Sequence, residues 1–256
     1  MSDFELQLVP VLRDNYVYLL REPENDTVAI VDPSVDTPVA DALDRLGWKP
    51  ALILNTHHHP DHVGGNAGLK NRYGCDIVAP AADRHRISGV DRWVEDGDEV
   101  AIGSARGRVI AVPGHTSGHI AYHFPEQKVL LCGDTLFSLG CGRLFEGTPG
   151  QMWASLSRLA ALPEETLVCC AHEYTQANGR FAMTLEPGNA ALVTRLKEVA
   201  ALREQDQPTV PSNLGIERET NPFLRPNAPE IRRSLGMTEA DEVAVFAEIR
   251  RRKDEF

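Results

Sequence analysis

The chain has 256 residues and 42% of them are apolar, so it can bury a large core and is too apolar to be disordered. Its net charge is −11, from 26 basic and 37 acidic side chains, which argues against general binding to nucleic acids or anionic membranes. We therefore expect neither of these partners, and an anionic ligand would need basic residues gathered at its own site.

The start of the chain carries Asp3 and Glu5 and lacks the basic segment of a signal peptide. The longest apolar runs, such as 129–132, are far too short to cross a membrane. The five cysteines form no CxxC pair, so we expect reduced, mostly buried thiols and neither a disulfide framework nor a zinc finger. These features favour a cytoplasmic protein, which we also expect to be a monomer.

Along the first 172 residues, apolar runs typical of strands alternate with helical spacing. The first two strands read as a hairpin because the turn-like segment 23–26 separates them. The predicted elements in chain order are strands at 15–20 and 27–31, a helix at 38–46, a strand at 51–55, a helix at 65–73, a strand at 76–79, a strand-rich stretch at 93–131, a helix at 151–162 and a strand at 166–171.

After about His172 the strand runs vanish. Two long amphipathic helices are predicted at 190–204 and 239–253, with a proline-rich stretch between them. We therefore predict an α/β domain over residues 1–172 followed by a smaller helical domain over residues 173–256.

The segment with the most specific chemistry is His57-His58-His59-Pro60-Asp61-His62. His57 and His59 follow a short apolar strand, and in extended chain residues i and i+2 point the same way, so both can reach one ion. Pro60 favours a helix start, which turns the two residues after it in a different direction. One short segment can thus supply two neighbouring sites for zinc, iron or manganese, and this placement makes an incidental histidine cluster the weaker interpretation.

Three further candidates each stand at a predicted strand end: His115 in PGHTSGH, Asp134 in GDT and His172 in AHE. Taken alone, each is as easily a polar loop residue as a metal ligand. Asp32, which ends the strand at 27–31, is either a partner for a ligating histidine or a turn-forming aspartate before proline.

In this order, the motifs HxHxDH, PGHTSGH, GDTLF and a strand ending in His172 resemble the metallo-β-lactamase superfamily. Within it, the segments at 140–148, 172–178 and 185–189 and the terminal RRKDEF resemble the hydroxyacylglutathione hydrolase (glyoxalase II) family, over essentially the whole chain. The resemblance implies an αββα sandwich with a dinuclear site at one sheet edge, a catalytic domain at 1–172 and a glutathione-binding helical domain at 173–256.

The resemblance also implies a ligand set and a reaction. One ion is bound by His57, His59 and His115, the other by Asp61, His62 and His172, and Asp134 bridges both. Asp61 and Asp134 count among the catalytic residues, while His58 and His119 match no ligand position. The cofactors implied are two divalent ions, zinc first, with iron or manganese as alternatives.

The implied reaction is the second step of methylglyoxal detoxification, in which metal-bound hydroxide hydrolyses S-(2-hydroxyacyl)glutathione, such as S-D-lactoylglutathione, to glutathione and D-lactate. Because a thiol with a pKa of about 8.5 can leave as thiolate, no protein acid is required. The alternatives are another enzyme on the same fold (a persulfide dioxygenase or a lactonase), a protein that binds metal for structure only, and a nucleic-acid-processing member.

Glutathione carries two carboxylates, so local basic residues are expected in this acidic chain. By resemblance, the glutathione contacts are Arg143, Tyr174, Asn178, Arg250 and Lys253. The alternative for Arg250 and Lys253 is a solvated helix end. The family often has tyrosine where this chain has Phe145, so we expect a phenol hydrogen bond to be missing.

Overall fold

The computed structural model describes residues 3–256. They form two compact units, residues 3–111 with 118–133 and residues 112–117 with 134–256. The predicted domain boundary after residue 172 falls inside the second unit and stays a prediction.

The first unit contains a six-stranded sheet with its strands in chain order. Two antiparallel pairings come first, and the strands from the third onward are parallel. Its elements are β1 (Glu5–Val11), β2 (Asn15–Glu22), β3 (Thr27–Val31), α1 (Thr37–Leu46), β4 (Pro50–Leu54), α2 (Pro60–Val63), α3 (Asn66–Tyr73), β5 (Asp76–Pro80) and β6 (Arg92–Val94). Because β3 and β4 are parallel, the residues that follow them lie at the same edge of the sheet.

Helix α1 shows why the helices cover this sheet on one side. Asp36 caps it by accepting a hydrogen bond from the Thr37 N–H, and Gly47 ends it in the left-handed conformation that glycine adopts without strain. Its buried face, which includes Leu43, joins β-strand residues and Leu69 of α3 in one apolar core. Burying a leucine of this kind stabilises the fold by about 1.5–3 kcal/mol.

The other face of the sheet meets four antiparallel strands of the same unit, in the spatial order β10-β9-β8-β7. They are β7 (Glu99–Ile102), β8 (Ala105–Ala111), β9 (Ile120–Phe124) and β10 (Val129–Gly133). The buried Tyr122 hydroxyl on β9 donates to the carbonyl of Asn55, 2.8 Å away, just after β4. This bond ties the second layer of strands to the segment that carries the metal motif.

The second unit is mostly helical. Its elements are β11 (Leu136–Phe137), β12 (Gly140–Cys141), α4 (Pro149–Ala160), β13 (Leu167–Cys170), α5 (Thr175–Leu185), α6 (Ala190–Glu204), β14 (Ser212–Asn213), α7 (Leu214–Thr220), α8 (Pro229–Leu235) and α9 (Glu242–Glu255). Strands β11 and β12 form a short antiparallel ribbon, and β13 pairs with β14. None of the helices between residues 3 and 256 has the length and apolarity needed to cross a bilayer.

The predicted elements match the observed ones through the α/β part, and the helix at 190–204 is confirmed to the residue. Strand β1 was missed because Pro10 interrupts its pattern, which an edge strand tolerates. The prediction that no strands follow His172 was wrong, because the two-residue strand β14 lies there. This strand is too short to leave a sequence pattern. Helix α5 was missed because Gly179, Asn178 and Thr175 lower its helix propensity.

Candidate metal centre

The segment that follows β4 supplies one set of potential metal ligands in the first unit. His57 is fully buried, and His59 is the N-cap of α2 with an extended backbone. Pro60 occupies the first position of α2, where its missing N–H costs nothing, so Asp61 and His62 lie in the first turn. The predicted helix start at Pro60 is therefore confirmed.

The donor atoms of this segment have the spacing of metal ligands. Nε2 of His57 lies 3.0 Å from Nδ1 of His59, and Nε2 of His62 lies 3.7 Å from Oδ2 of Asp61. Two ligand atoms of a tetrahedral zinc ion with bonds of 2.0–2.1 Å are about 3.4 Å apart. Each pair thus fits one ion, and the chemistry of the donors fits zinc, iron or manganese.

Asp32, the residue after β3, holds this segment in place. Its Oδ2 accepts hydrogen bonds from the Thr56 hydroxyl at 2.6 Å and from Nδ1 of His62 at 3.1 Å, and its Oδ1 accepts from the Thr56 N–H at 2.8 Å. The bond from Nδ1 leaves Nε2 of His62 unprotonated and available to a metal ion. Asp32 also makes the turn after β3, with a φ of 49°, and its contact with His62 is the one expected of a partner for a ligating histidine.

The two remaining histidines of the motifs have other contacts. Nδ1 of His58 lies 3.3 Å from the carboxylate of the buried Asp83. His119 stacks on His57, with ring centroids 4.5 Å apart, and its Nδ1 lies 3.0 Å from the carbonyl of Ile120. These contacts are consistent with His58 and His119 supporting the neighbouring side chains and not binding metal themselves.

The second unit carries a second set of potential metal ligands, all of them buried. Oδ2 of Asp134 lies 3.4 Å from Nε2 of His115 and 3.3 Å from Nε2 of His172. A carboxylate oxygen between two imidazole nitrogens is the arrangement expected of a group that bridges two ions. Nδ1 of His115 lies 2.8 Å from the carbonyl of Arg143, which makes Nδ1 the protonated nitrogen and leaves Nε2 to bind metal.

The loop that follows Asp134 is held by Glu217, a residue that the sequence analysis did not identify. Its buried carboxylate accepts hydrogen bonds from the Ser138 hydroxyl at 2.9 Å, the Leu139 N–H at 2.8 Å and the Asn221 amide at 3.1 Å. Burial raises the pKa of Glu217, while these donors oppose the shift. No local pattern could reveal this residue, because its loop partners are 78 and 79 residues away.

Two of the predicted glutathione contacts lie on α5 and just before it. The ring of Tyr174 stacks on the ring of His172, with centroids 4.8 Å apart and planes 2° apart, and it is partly exposed. Asn178 is buried, and its amide donates to the carbonyl of Ser138 at 3.1 Å. Tyr174 thus borders the predicted metal ligand His172, whereas Asn178 supports the loop after Asp134.

Two of the predicted glutathione-binding arginines share one acidic partner. Arg143 and Arg250 lie 3.7 Å and 2.9 Å from the carboxylate of Asp254. Arg250 is only 5% exposed and donates to the carbonyl of Cys141, so the alternative of a solvated helix end does not hold for it. Lys253 is half-buried, 3.5 Å from the carbonyl of Ala177.

Arg180 on α5 belongs to the same group of cations and was missed by the sequence analysis. Burial lowers the pKa of Lys253, and the positive charges of Arg250, Arg180 and Arg143 lower it further. Arg180 is exposed and makes no ion pair with any residue in the range 3–256. Together these four residues form a local positive patch in a chain of net charge −11.

The cysteines give no sign of a nucleophile. All five are buried free thiols, as predicted. Burial raises the pKa of Cys141 to about 11, although Arg250 opposes the shift, so this thiol stays protonated at neutral pH. A thiolate mechanism therefore has no support at Cys141.

Comparisons with known proteins agree with this geometry. The sequence pattern of the metallo-β-lactamase superfamily matches residues 11–172, and that of the hydroxyacylglutathione hydrolase C-terminus matches residues 173–256. The chain is 61% identical to a hydroxyacylglutathione hydrolase from Methylococcus capsulatus, over 98% of each chain. It is 54% identical to one from Rhodospirillum rubrum, over the full length of both chains.

The chain belongs to the hydroxyacylglutathione hydrolase family. Its fold is that of the metallo-β-lactamase superfamily, with a helical C-terminal region. A crystal structure of ETHE1 from Myxococcus xanthus has the same fold, with a TM-score of 0.67 and 23% identity over 98% of each chain. Membership of the hydroxyacylglutathione hydrolase family, with the histidine and aspartate clusters of each unit, supports a dinuclear site for divalent ions.

The contact between Asp32 and His62 predicts a specific loss of metal affinity. In Asp32→Asn an amide nitrogen replaces a carboxylate oxygen, so His62 loses the partner that fixes its tautomer. We expect metal affinity to fall by about 10- to 100-fold, measured by competition of the protein with a zinc chelator. Asp83→Asn is the matched control, because Asp83 is also buried but contacts His58. Equal losses in both variants would contradict this assignment.

Proposed function

We propose that the chain hydrolyses S-(2-hydroxyacyl)glutathione thioesters, such as S-D-lactoylglutathione, to glutathione and a 2-hydroxy acid such as D-lactate. This is the second step of methylglyoxal detoxification, and we propose that a cytoplasmic monomer performs it. The observation that carries the proposal is the Asp134 carboxylate between the nitrogens of His115 and His172. The identity to hydroxyacylglutathione hydrolases extends through the helical C-terminal region, which supports glutathione as part of the substrate.

We further propose that the ligands of both units serve one dinuclear centre. One ion would be held by His57, His59 and His115, the other by Asp61, His62 and His172, with Asp134 shared. The spacing of the donor pairs within each unit supports this assignment. Zinc is the first choice of metal, with iron or manganese as alternatives that suit the same donors.

The bound ions would supply a nucleophile at neutral pH and polarise the thioester carbonyl, because two ions about 3.5–4 Å apart lower the pKa of a shared water. The side chains of this chain supply the orientation. Asp32 and the Arg143 carbonyl hold Nδ1 of His62 and of His115, so that Nε2 of each is available to a metal ion. Asp61 and Asp134 contribute negative charge there, and the leaving thiol departs as thiolate, so no protein general acid is needed.

Recognition of glutathione would come from the positive patch of Arg143, Arg180, Arg250 and Lys253 and from Tyr174. Arg143 and Lys253 are the accessible cations of the predicted set, whereas the buried Arg250 also anchors α9 to Cys141. Asn178 would contribute indirectly, because its amide donates to the Ser138 carbonyl and so supports the loop after Asp134. The exposed Phe145 lies edge-on to His115, with ring centroids 5.2 Å apart, and cannot donate the hydrogen bond of a tyrosine.

The alternative functions differ from thioester hydrolysis in the substrate that they consume or the ligand that they bind. A persulfide dioxygenase would consume oxygen, and a metal site kept only for structure would be closed, with four ligands and often cysteine. The seven proposed ligands include no cysteine and leave room for substrate. A nucleic-acid-processing activity is disfavoured by the net charge of −11.

The direct test is hydrolysis of S-D-lactoylglutathione together with metal analysis of the purified protein. The wild type should release thiol without consuming oxygen and should contain two ions per chain. His59→Ala and Asp134→Ala should each lower kcat/KM by more than about 100-fold, since even the partners of ligands are worth 10- to 100-fold. Circular dichroism should show both variants folded. Wild-type activity in either variant would refute the ligand assignment.

Lys253 offers a separate test of glutathione recognition. Lys253→Ala should raise KM for the glutathione thioester by about tenfold, the lower end for a lost hydrogen bond to a charged group, and should change kcat less. Arg251→Ala is the control, because the neighbouring Arg251 is exposed and pairs only with Glu248 and Glu255 among the described residues. The same KM in the wild type and Lys253→Ala would mean that this helix end does not bind glutathione.

A further inference from the structure

Asn15, the first residue of β2, contacts a proposed metal ligand that lies 46 residues away in sequence. Its side-chain amide nitrogen lies 3.0 Å from Oδ2 of Asp61 and 3.3 Å from the main-chain carbonyl of Asp61. Asn15 itself is buried, whereas the Asp61 side chain is 39% exposed. The buried amide of Asn15 thus donates a hydrogen bond to the Asp61 carboxylate, which is partly exposed to solvent.

The chemistry of these two bonds is specific to an amide at position 15. One NH₂ group donates to the side chain and to the backbone of the same residue, which fixes the carboxylate relative to its own main chain. An aspartate at position 15 would offer no donor and would repel Asp61, and an alanine would leave the carboxylate free to rotate. Orienting an exposed ligand in advance lowers the conformational entropy that metal binding must remove.

The turn that precedes Asn15 has a strained backbone. This strain supports the view that the position of Asn15 in the sheet matters. Val11 pairs with Asn15 across the β1–β2 hairpin, so residues 12–14 make a tight connection. Leu12 in this turn has a φ of 52° and is 60% exposed, and a left-handed conformation costs a non-glycine residue about 1–2 kcal/mol. A shift of the register by one residue would turn Asn15 to the opposite face of the sheet.

We propose that Asn15 is a positioning residue that holds the Asp61 carboxylate in the orientation needed to bind one of the two metal ions. This inference rests on the proposed function, because it takes Asp61 as a ligand. If the proposal is right, loss of Asn15 affects the two ions unequally. Loss of Asn15 weakens the ion held by Asp61, His62 and His172, and leaves the ion held by His57, His59 and His115 in place.

The test compares Asn15→Ala with Asn25→Ala, a matched control in the same unit. Asn25 also donates its amide to a carboxylate, that of Glu22 at 3.1 Å, in the turn between β2 and β3. Metal content is measured after equilibration with buffered zinc, and the melting temperature is measured with EDTA and with zinc. Asn15→Asp, which is nearly isosteric, serves as the second variant if Asn15→Ala does not fold.

Wild type and Asn25→Ala should bind two ions. Asn15→Ala should bind one tightly, with affinity for the second lowered by about 10- to 100-fold. The rise in melting temperature on adding zinc should be smaller for Asn15→Ala, because the stabilisation that a ligand gives increases with the logarithm of its affinity. Two ions at wild-type affinity in Asn15→Ala and Asn15→Asp would overturn the inference and leave the proposed function intact. Fewer than two ions in the wild type would instead overturn the proposed function, and this inference with it.

Discussion

An imidazole binds metal only through a nitrogen that carries no proton, and an acceptor for the N–H of its other nitrogen fixes which nitrogen that is. In this chain that acceptor is the Asp32 carboxylate for His62 and the Arg143 carbonyl for His115. The parallel pairing of β3 and β4 brings Asp32 to the same sheet edge as the motif histidines. The order of the strands therefore matters for metal binding, because it places Asp32 against Nδ1 of His62 and leaves Nε2 available to a metal ion.

The charge distribution sets the second requirement. A chain of net charge −11 must concentrate its cations to bind a substrate with two carboxylates. Four basic residues lie together in the second unit, and Asp254 is paired with two of them, which limits their mutual repulsion. The lowered pKa of Lys253 follows first from burial and then from its positive neighbours, which is the environment that favours an incoming anion.

The metal motif could be predicted from sequence because His57 to His62 are local, and strand and helix periodicity gives their directions. The residues that hold the proposed ligands and the loop after Asp134 could not be found in the same way. Asn15, Asp32 and Glu217 act on partners 24 to 79 residues away, and only the folded backbone brings them together. Asp32 was identified because it ends a clear strand, whereas Asn15 merely begins one. The burial of Arg250 was also hidden, because its sequence neighbours are those of an exposed helix end.

The proposed function depends on two ions that share Asp134. Anomalous X-ray diffraction from crystals of the zinc-loaded protein, collected on both sides of the zinc absorption edge, tests it directly. We expect two peaks about 3.5–4 Å apart, one bonded to His57, His59 and His115, the other to Asp61, His62 and His172, with the Asp134 carboxylate bound to both. A single fully occupied peak, or two peaks of which one is not bonded to Asp134, would contradict it.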